Sequence, residues 1–329
     1  NVANTFRVDS RENRALRTYD NVRRTFQRTV AFINAGKVPE ENVEAEFKKF
    51  ADLFWSIYKE NKGTTTSGIA ATESMRILNI IEADSLIEKR LNDNLDDPIL
   101  IDIALEYGTN MKARTEGLDA AIGYLDKLKD ASSSDIRKDM LIDQKRVKIL
   151  YDSLEVDRAV DEFRIFENRY SRFEEIRGWI QIFGRELDYM APGMPVPTYK
   201  FIALNGDTLS TADTGKPRLY EFADLKDPFY QQEFENIKYI ALLYSSYGLE
   251  VLSIPITENQ VAVNAFFNER GQTGPVLDRS SYNTTELIQT FNLIRLPTWL
   301  LVDADGNIVR KFVRNEISDL TNGLAKAIN

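Results

Sequence analysis

Proline is distributed unevenly along this chain, and that distribution limits where long helices can form. Of the ten prolines, only Pro39 and Pro98 lie in residues 1–190, and the other eight lie in residues 191–329. Because proline breaks the interior of an α-helix, the first part can be helical throughout and the second cannot. The run Ala191-Pro-Gly-Met-Pro-Val-Pro197 marks the predicted boundary between two domains. A length of 329 residues also favours two domains.

The first part is predicted to form an all-helical domain. Residues 10–35 carry apolar side chains at three- and four-residue spacing, which is the period of an amphipathic helix, and residues 40–60 repeat it. Asp97-Pro98 is a helix start, since aspartate caps the first turn and proline fits the first helical position. Short connections leave two architectures open, a helical bundle or an array of helical hairpins. The remaining predicted helices are 70–92, 97–108, 115–130, 134–154 and 156–188.

The second part alternates short apolar strands with helices. That order, followed by a terminal hairpin and helix, is typical of an α/β/α sandwich with a mixed sheet. We therefore predict a helical N-terminal domain followed by an α/β domain. The predicted strands are 197–204, 218–222, 249–254, 299–302 and 308–313, and the predicted helices are 228–247, 258–270, 284–291 and 316–328.

Two residue types are absent from the sequence, and their absence excludes several kinds of chemistry. The chain has no cysteine and no histidine. It therefore has no thiolate nucleophile, no cysteine-based zinc site and no Ser-His-Asp triad. Asp303-Ala-Asp-Gly-Asn307 contains acidic residues, but its glycine comes too early for an EF-hand calcium loop, and Asp-Gly favours a hairpin turn. No metal, cofactor or catalytic residue is predicted.

Charge and hydropathy limit the partners of the chain. The net charge is −9 and the pI is about 4.9, so the surface repels phosphate backbones and nucleic acid is not an expected partner. No apolar run approaches the roughly 18 residues that a membrane span needs. The sequence leaves the oligomeric state open.

Three segments of the second part carry a family resemblance. Gly193-Met-Pro-Val-Pro197 leads through a strand to the turn Leu204-Asn-Gly206, and Gly215-Lys216 precedes the next strand. Phe291 to Val309 then reads N-L-I-R-L-P-T-W-L-L-V-D-A-D-G-N-I between its ends. Together these resemble the thioredoxin-like superfamily, in its TlpA-like and AhpC/TSA redoxin branch. The resemblance covers 191–329 and implies a thioredoxin-like fold with a cis peptide before Pro297.

The redox motif of that family is missing here. Its C-x-x-C positions fall on Asp227-Pro-Phe-Tyr230, and Gly248 and Val251 follow Asp227 at the spacing that the family shows after its first cysteine. Asp227 and Tyr230 thus replace both cysteines. Thiol–disulfide exchange needs a thiolate, and peroxide reduction passes through a cysteine sulfenic acid. The resemblance therefore implies a redox-inactive member, in which Asp227 is expected to cap the following helix.

Three functions stay open from the sequence. The resemblance favours a binding or scaffold module, because in the family the groove between the active-site helix and the cis-proline loop accepts extended polypeptide. The alternatives are a non-redox enzyme with a carboxylate-lined pocket at the domain junction and a structural component of a cell-envelope assembly. The resemblance also implies export to the periplasm or cell envelope. The candidate groove residues are Asp227, Phe229, Tyr230, Leu296, Pro297 and Thr298.

Overall fold

The computed structural model describes residues 2–95, 97–132, 135–257 and 259–328, with side chains from residue 11 onward. The chain divides into two compact units, Asn1–Phe166 and Glu167–Asn329.

The first unit is built of helices, as the sequence predicts. A π-helical turn, Ala104–Gly108, connects α5 directly to α6. Large aromatic side chains form much of the core, including Phe50, Phe54 and Tyr58, all of which are buried. The helices are α1 Val2–Asn34, α2 Glu40–Glu60, α3 Thr65–Ile80, α4 Asp84–Asn92, α5 Pro98–Ile103, α6 Thr109–Glu116, α7 Leu118–Ala131, α8 Ile136–Asp152 and α9 Val156–Tyr170, of which the last four residues belong to the second unit.

Two long predicted helices are each divided in the structure. The predicted helix 70–92 becomes α3 and α4, because Glu82 takes a left-handed backbone conformation with φ 50°. The amides of Glu82 and Ala83 then bond back to the carbonyls of Asn79 and Leu78, at 3.3 and 2.9 Å, which closes the helix end. The predicted helix 156–188 divides into α9 and the helix α10, Glu174–Tyr189.

The second unit contains a four-stranded mixed sheet. Its strand order is β4-β3-β5-β6, with β4 parallel to β3 and β5 antiparallel to both β3 and β6. A short antiparallel pair, β1 and β2, precedes it. The strands are β1 Lys200–Ile202, β2 Thr208–Ser210, β3 Arg218–Ala223, β4 Glu250–Pro255, β5 Thr298–Val302 and β6 Ile308–Val313. The helices after α10 are α11 Pro228–Tyr244, α12 Gln260–Arg270, α13 Thr284–Thr290 and α14 Leu320–Ile328. The predicted start of α12 near Glu258 lies outside the described residues.

Both faces of this sheet are covered. Every residue of β3 is buried, and successive side chains point to opposite faces of a strand. Leu219 accordingly belongs to a core cluster with residues of α11, α12 and α14, whereas Tyr220 belongs to a second cluster with residues of α13. The result is the predicted α/β/α sandwich with a mixed sheet.

Helix α10 packs within the second unit. The Glu186 carboxylate accepts from Lys311 Nζ of β6 at 2.6 Å and from Asn292 Nδ2 at 2.7 Å. Arg185 also donates to the carbonyl of Gln289 at 2.7 Å. The compact unit therefore begins before α10, while the sequence places the domain boundary after it, at 190/191.

Across the described ranges, no helix is both long and apolar enough to cross a membrane.

Candidate functional site

The segment that matches the redox motif forms the start of α11. Asp227 is the N-cap residue, and its Oδ1 accepts from the Phe229 amide at 2.8 Å. Pro228 occupies the first turn, where its missing N–H leaves no helical hydrogen bond unmade. The local sequence Asp-Pro thus produces the helix start that it predicts. Asp227 and Phe229 are half-buried at the surface.

The loop before β5 supplies the second half of the candidate site. Its Leu296–Pro297 peptide bond is cis. Leu296 is half-buried, whereas Pro297 and Thr298 are buried. Thr298 begins β5 and is paired with Phe222 on one side and with Val313 on the other. The backbone of Thr298 is therefore enclosed by the sheet, and Leu296 is the most exposed of the three predicted site residues in this loop.

Arg314, which follows β6, joins these two halves. Its Nη1 donates to Asp227 Oδ2 at 2.6 Å and to the Leu296 carbonyl at 3.0 Å. Its guanidinium also lies over the Phe229 ring, 5.0 Å from the ring centroid. Its amide donates to the carbonyl of Pro297 at 3.1 Å. The guanidinium of this arginine thus contacts three of the six predicted site residues, Asp227, Phe229 and Leu296. A fourth, Pro297, contacts only its backbone amide.

Sequence reasoning missed Arg314. Nothing near it marks a functional position, because its contacts come from α11 and from the proline loop, far away in sequence. Its φ of 51° places it in the left-handed region, which residues other than glycine rarely adopt.

Tyr230 lies below the surface. Its side chain is 0% exposed. Its ring lies 5.8 Å from Phe234, 6.1 Å from Phe266 and 6.4 Å from Trp299, measured between centroids. The position that matches the second cysteine is therefore filled by a core aromatic residue. The prediction that Tyr230 contributes a surface of the groove does not fit this burial, and Pro297 and Thr298 are buried as well.

The central sheet also contains a buried acidic residue. Glu221, at the middle of β3, is 1% exposed. Trp299 Nε1 donates to its Oε1 at 3.2 Å, and the hydroxyls of Ser253 and Thr273 donate to its Oε2 at 2.9 and 3.3 Å. Desolvation disfavours the carboxylate and raises the pKa of Glu221 to about 7, although these hydrogen bonds oppose the shift. Sequence reasoning did not single out Glu221, although an acidic residue between apolar neighbours in a central strand was an available signal.

Glu221 has little access to a substrate. Thr273 connects it to a surface cavity of about 580 Å³, which is lined by residues 203–205 and 272–276. The carboxyl itself is enclosed by its three donors, and a general acid or base must reach the proton that it transfers. Within the described ranges, no cluster of three or more acidic side chains could hold a metal ion.

A sequence comparison identifies relatives of this chain. A 150-residue stretch is 25% identical to the thiol-disulfide oxidoreductase ResA of Bacillus thuringiensis (strain Al Hakam), covering 45% of this chain and 84% of the relative. The ResA of Bacillus anthracis gives the same values. The chain carries a thioredoxin-like domain. Asp227 and Tyr230 stand in it where the resemblance places the two cysteines.

Solved structures are also similar to this thioredoxin-like domain. The thioredoxin domain of a thiol-disulfide oxidoreductase from Bacteroides vulgatus is 20% identical, with 43% of this chain and 99% of that chain covered and a TM-score of 0.38. For StoA from Bacillus subtilis, the identity is 18%, the coverage is 40% and 99%, and the TM-score is 0.34. The chain matches no known family profile.

Proposed function

We propose that the thioredoxin-like domain binds extended polypeptide without redox chemistry, in a groove lined by Asp227, Phe229 and Leu296. We call this surface the α11–proline groove. The observation that carries the proposal is the convergence of these three half-buried residues on one side chain, Arg314. The groove offers an aromatic face, an aliphatic side chain and a backbone carbonyl. Proteins hold extended peptides through main-chain hydrogen bonds and through pockets that accept alternate side chains.

The absence of thiol chemistry follows from composition. The 329 residues contain no cysteine, and both exchange and peroxide reduction require a thiolate. An aspartate that caps a helix and a tyrosine in the core cannot replace it. In this proposal the groove therefore keeps the polypeptide binding of the family and has no thiol chemistry.

The same proposal extends to location. The TlpA-like resemblance favours a place in the periplasm or cell envelope of a bacterium. Fractionation of cells that express the full-length gene product tests this, and recovery of the protein with the cytoplasmic fraction alone would contradict it.

Substitution in the groove tests the binding function. We expect wild-type protein to bind a fluorescein-labelled, permanently unfolded polypeptide weakly, as measured by fluorescence anisotropy. Phe229→Ala should weaken this binding about tenfold, because truncating an aromatic contact residue removes roughly 1–3 kcal/mol. The matched control is Val261→Ala, which removes an apolar side chain that is 77% exposed on α12. Equal affinities of the two variants would exclude the groove as the binding surface.

A further inference from the structure

We propose that the α11–proline groove recognises an arginine side chain of its polypeptide partner, and that Arg314 occupies this place when no partner is bound. This inference rests on the proposed function, because it names the chemistry of the ligand for the same groove. Arg314 is then an internal ligand that a partner must displace.

The contacts around Arg314 match a guanidinium group. Asp227 Oδ2 accepts at 2.6 Å, the Leu296 carbonyl accepts at 3.0 Å, and the Phe229 ring lies 5.0 Å away from the group. A carboxylate, a carbonyl and an aromatic face suit a planar cation with several donors better than they suit a lysine ammonium. The site therefore discriminates between the two basic side chains.

Asp227 is held in place for this role by the helix that it caps. Its Oδ1 accepts from the Phe229 amide at 2.8 Å, so that Oδ2 is directed to Arg314. The carboxylate therefore stays positioned when Arg314 leaves, and it is then a partly buried charge that requires a new cation. An arginine from a partner satisfies this requirement.

The backbone of Arg314 favours its release. Its φ of 51° is a conformation that side chains disfavour, and its side chain is 36% exposed. Arg314 follows β6 and begins a 3-10 turn, Arg314–Asp319. Rotation of this residue out of the left-handed region relieves strain and opens the groove at the same time.

The charge of the molecule favours a basic partner. The chain carries a net charge of −9, which attracts cationic polypeptides over distances of about one Debye length. An internal arginine also keeps weakly basic partners out, because each partner must compete with a group that is always at high local concentration.

The test removes the guanidinium without straining the backbone. Arg314→Gly deletes the side chain, and glycine adopts a positive φ freely. Three fluorescein-labelled nonapeptides, identical except for a central Arg, Lys or norleucine, are titrated by fluorescence anisotropy. We expect Arg314→Gly to bind the Arg peptide about tenfold more tightly than wild type does, with the Lys and norleucine peptides weaker. Asp227→Asn in the Arg314→Gly background should abolish the preference for Arg.

The outcomes separate this inference from the proposed function. Equal affinity of Arg314→Gly for all three peptides would overturn arginine recognition while leaving polypeptide binding in place. Weaker binding of every peptide by Arg314→Gly would show that Arg314 supports the groove instead of occupying it. If no peptide binds any variant and the unfolded polypeptide also fails to bind, the proposed function falls as well. Near-UV circular dichroism of Arg314→Gly, alone and combined with Asp227→Asn, checks that both variants fold.

Discussion

Glu221 shows how one residue can make the stability of a whole domain depend on pH. All three of its donors, from Ser253, Thr273 and Trp299, are neutral. Burial raises the pKa of its carboxyl from 4.5 to about 7. Between these two values the folded chain holds a proton that the unfolded chain has lost. Stability from Glu221 is therefore present below about pH 4.5 and is lost as the pH rises through about 7.

Replacing Glu221 by the neutral amide tests this pH dependence. We expect Glu221→Gln to flatten the dependence of unfolding free energy between about pH 5 and about pH 8. At the upper end the variant should be more stable than wild type by as much as about 3 kcal/mol, the equivalent of the raised pKa. Urea unfolding across this range measures it. Glu269→Gln, at an exposed position on α12, serves as control, and parallel profiles of Glu221→Gln and wild type would refute the expectation.

Individual residues were predictable from the sequence where their structure is local. Asp227 caps α11 because Asp-Pro carries that signal within two residues. Arg314 and Tyr230 were different, because their environments are formed by segments that lie far apart in the chain. A C-x-x-C alignment places Tyr230 at a redox position, but only the packing of Phe234, Phe266 and Trp299 shows that its ring is in the core.

Turns and helix ends were likewise predictable only where a local sequence signal marks them. Asp303–Asn307 forms the predicted turn between β5 and β6, with Asp303 Oδ1 accepting from the amides of Asp305 and Asn307. Gly306 supplies the positive φ. The end of α3 could not be predicted, because Glu82 takes the left-handed position that glycine usually marks. The end of α8 was predicted at 154, two residues beyond its observed end at Asp152.

The contact between α10 and β6 depends on a buried ion pair. Lys311 and Glu186 have side chains only 7% and 8% exposed. Desolvation lowers the pKa of Lys311, although the attraction of Glu186 opposes the shift. Removing one partner leaves the other as an uncompensated buried charge, which is costly, whereas replacing both with apolar residues removes that cost.

A double-mutant cycle measures this pair. We expect Lys311→Met to destabilise the second unit by about 3–5 kcal/mol, and we expect Lys311→Met with Glu186→Leu to recover most of that loss. Chemical denaturation of wild type, Lys311→Met, Glu186→Leu and the double variant gives the coupling energy between the two side chains. The control is Asp319→Asn, which removes the more exposed ion pair with Arg310 and should cost less than about 1 kcal/mol. Additive losses in the double variant would argue against a coupled buried pair.

The architecture of the whole molecule was predictable because it depends on patterns that repeat over many residues. Proline content and helical periodicity distinguish 1–190 from 191–329, and alternating strands and helices indicate the sandwich. The division into compact units was less predictable. Helix α10 has the amphipathic pattern of the helices before it, yet its Arg185 and Glu186 bond to Gln289, Asn292 and Lys311 in the second unit.

This placement of α10 has a practical consequence for anyone who cuts or recombines the gene. A protein that starts at the proline-rich run would keep every strand of the sheet but would lose Glu186, and Lys311 would be left without its counter-ion. Such a fragment is expected to express poorly and to aggregate. A fragment that carries the α11–proline groove must therefore begin before Glu174. It must include α10, although the amphipathic pattern of this helix resembles that of the helices before it.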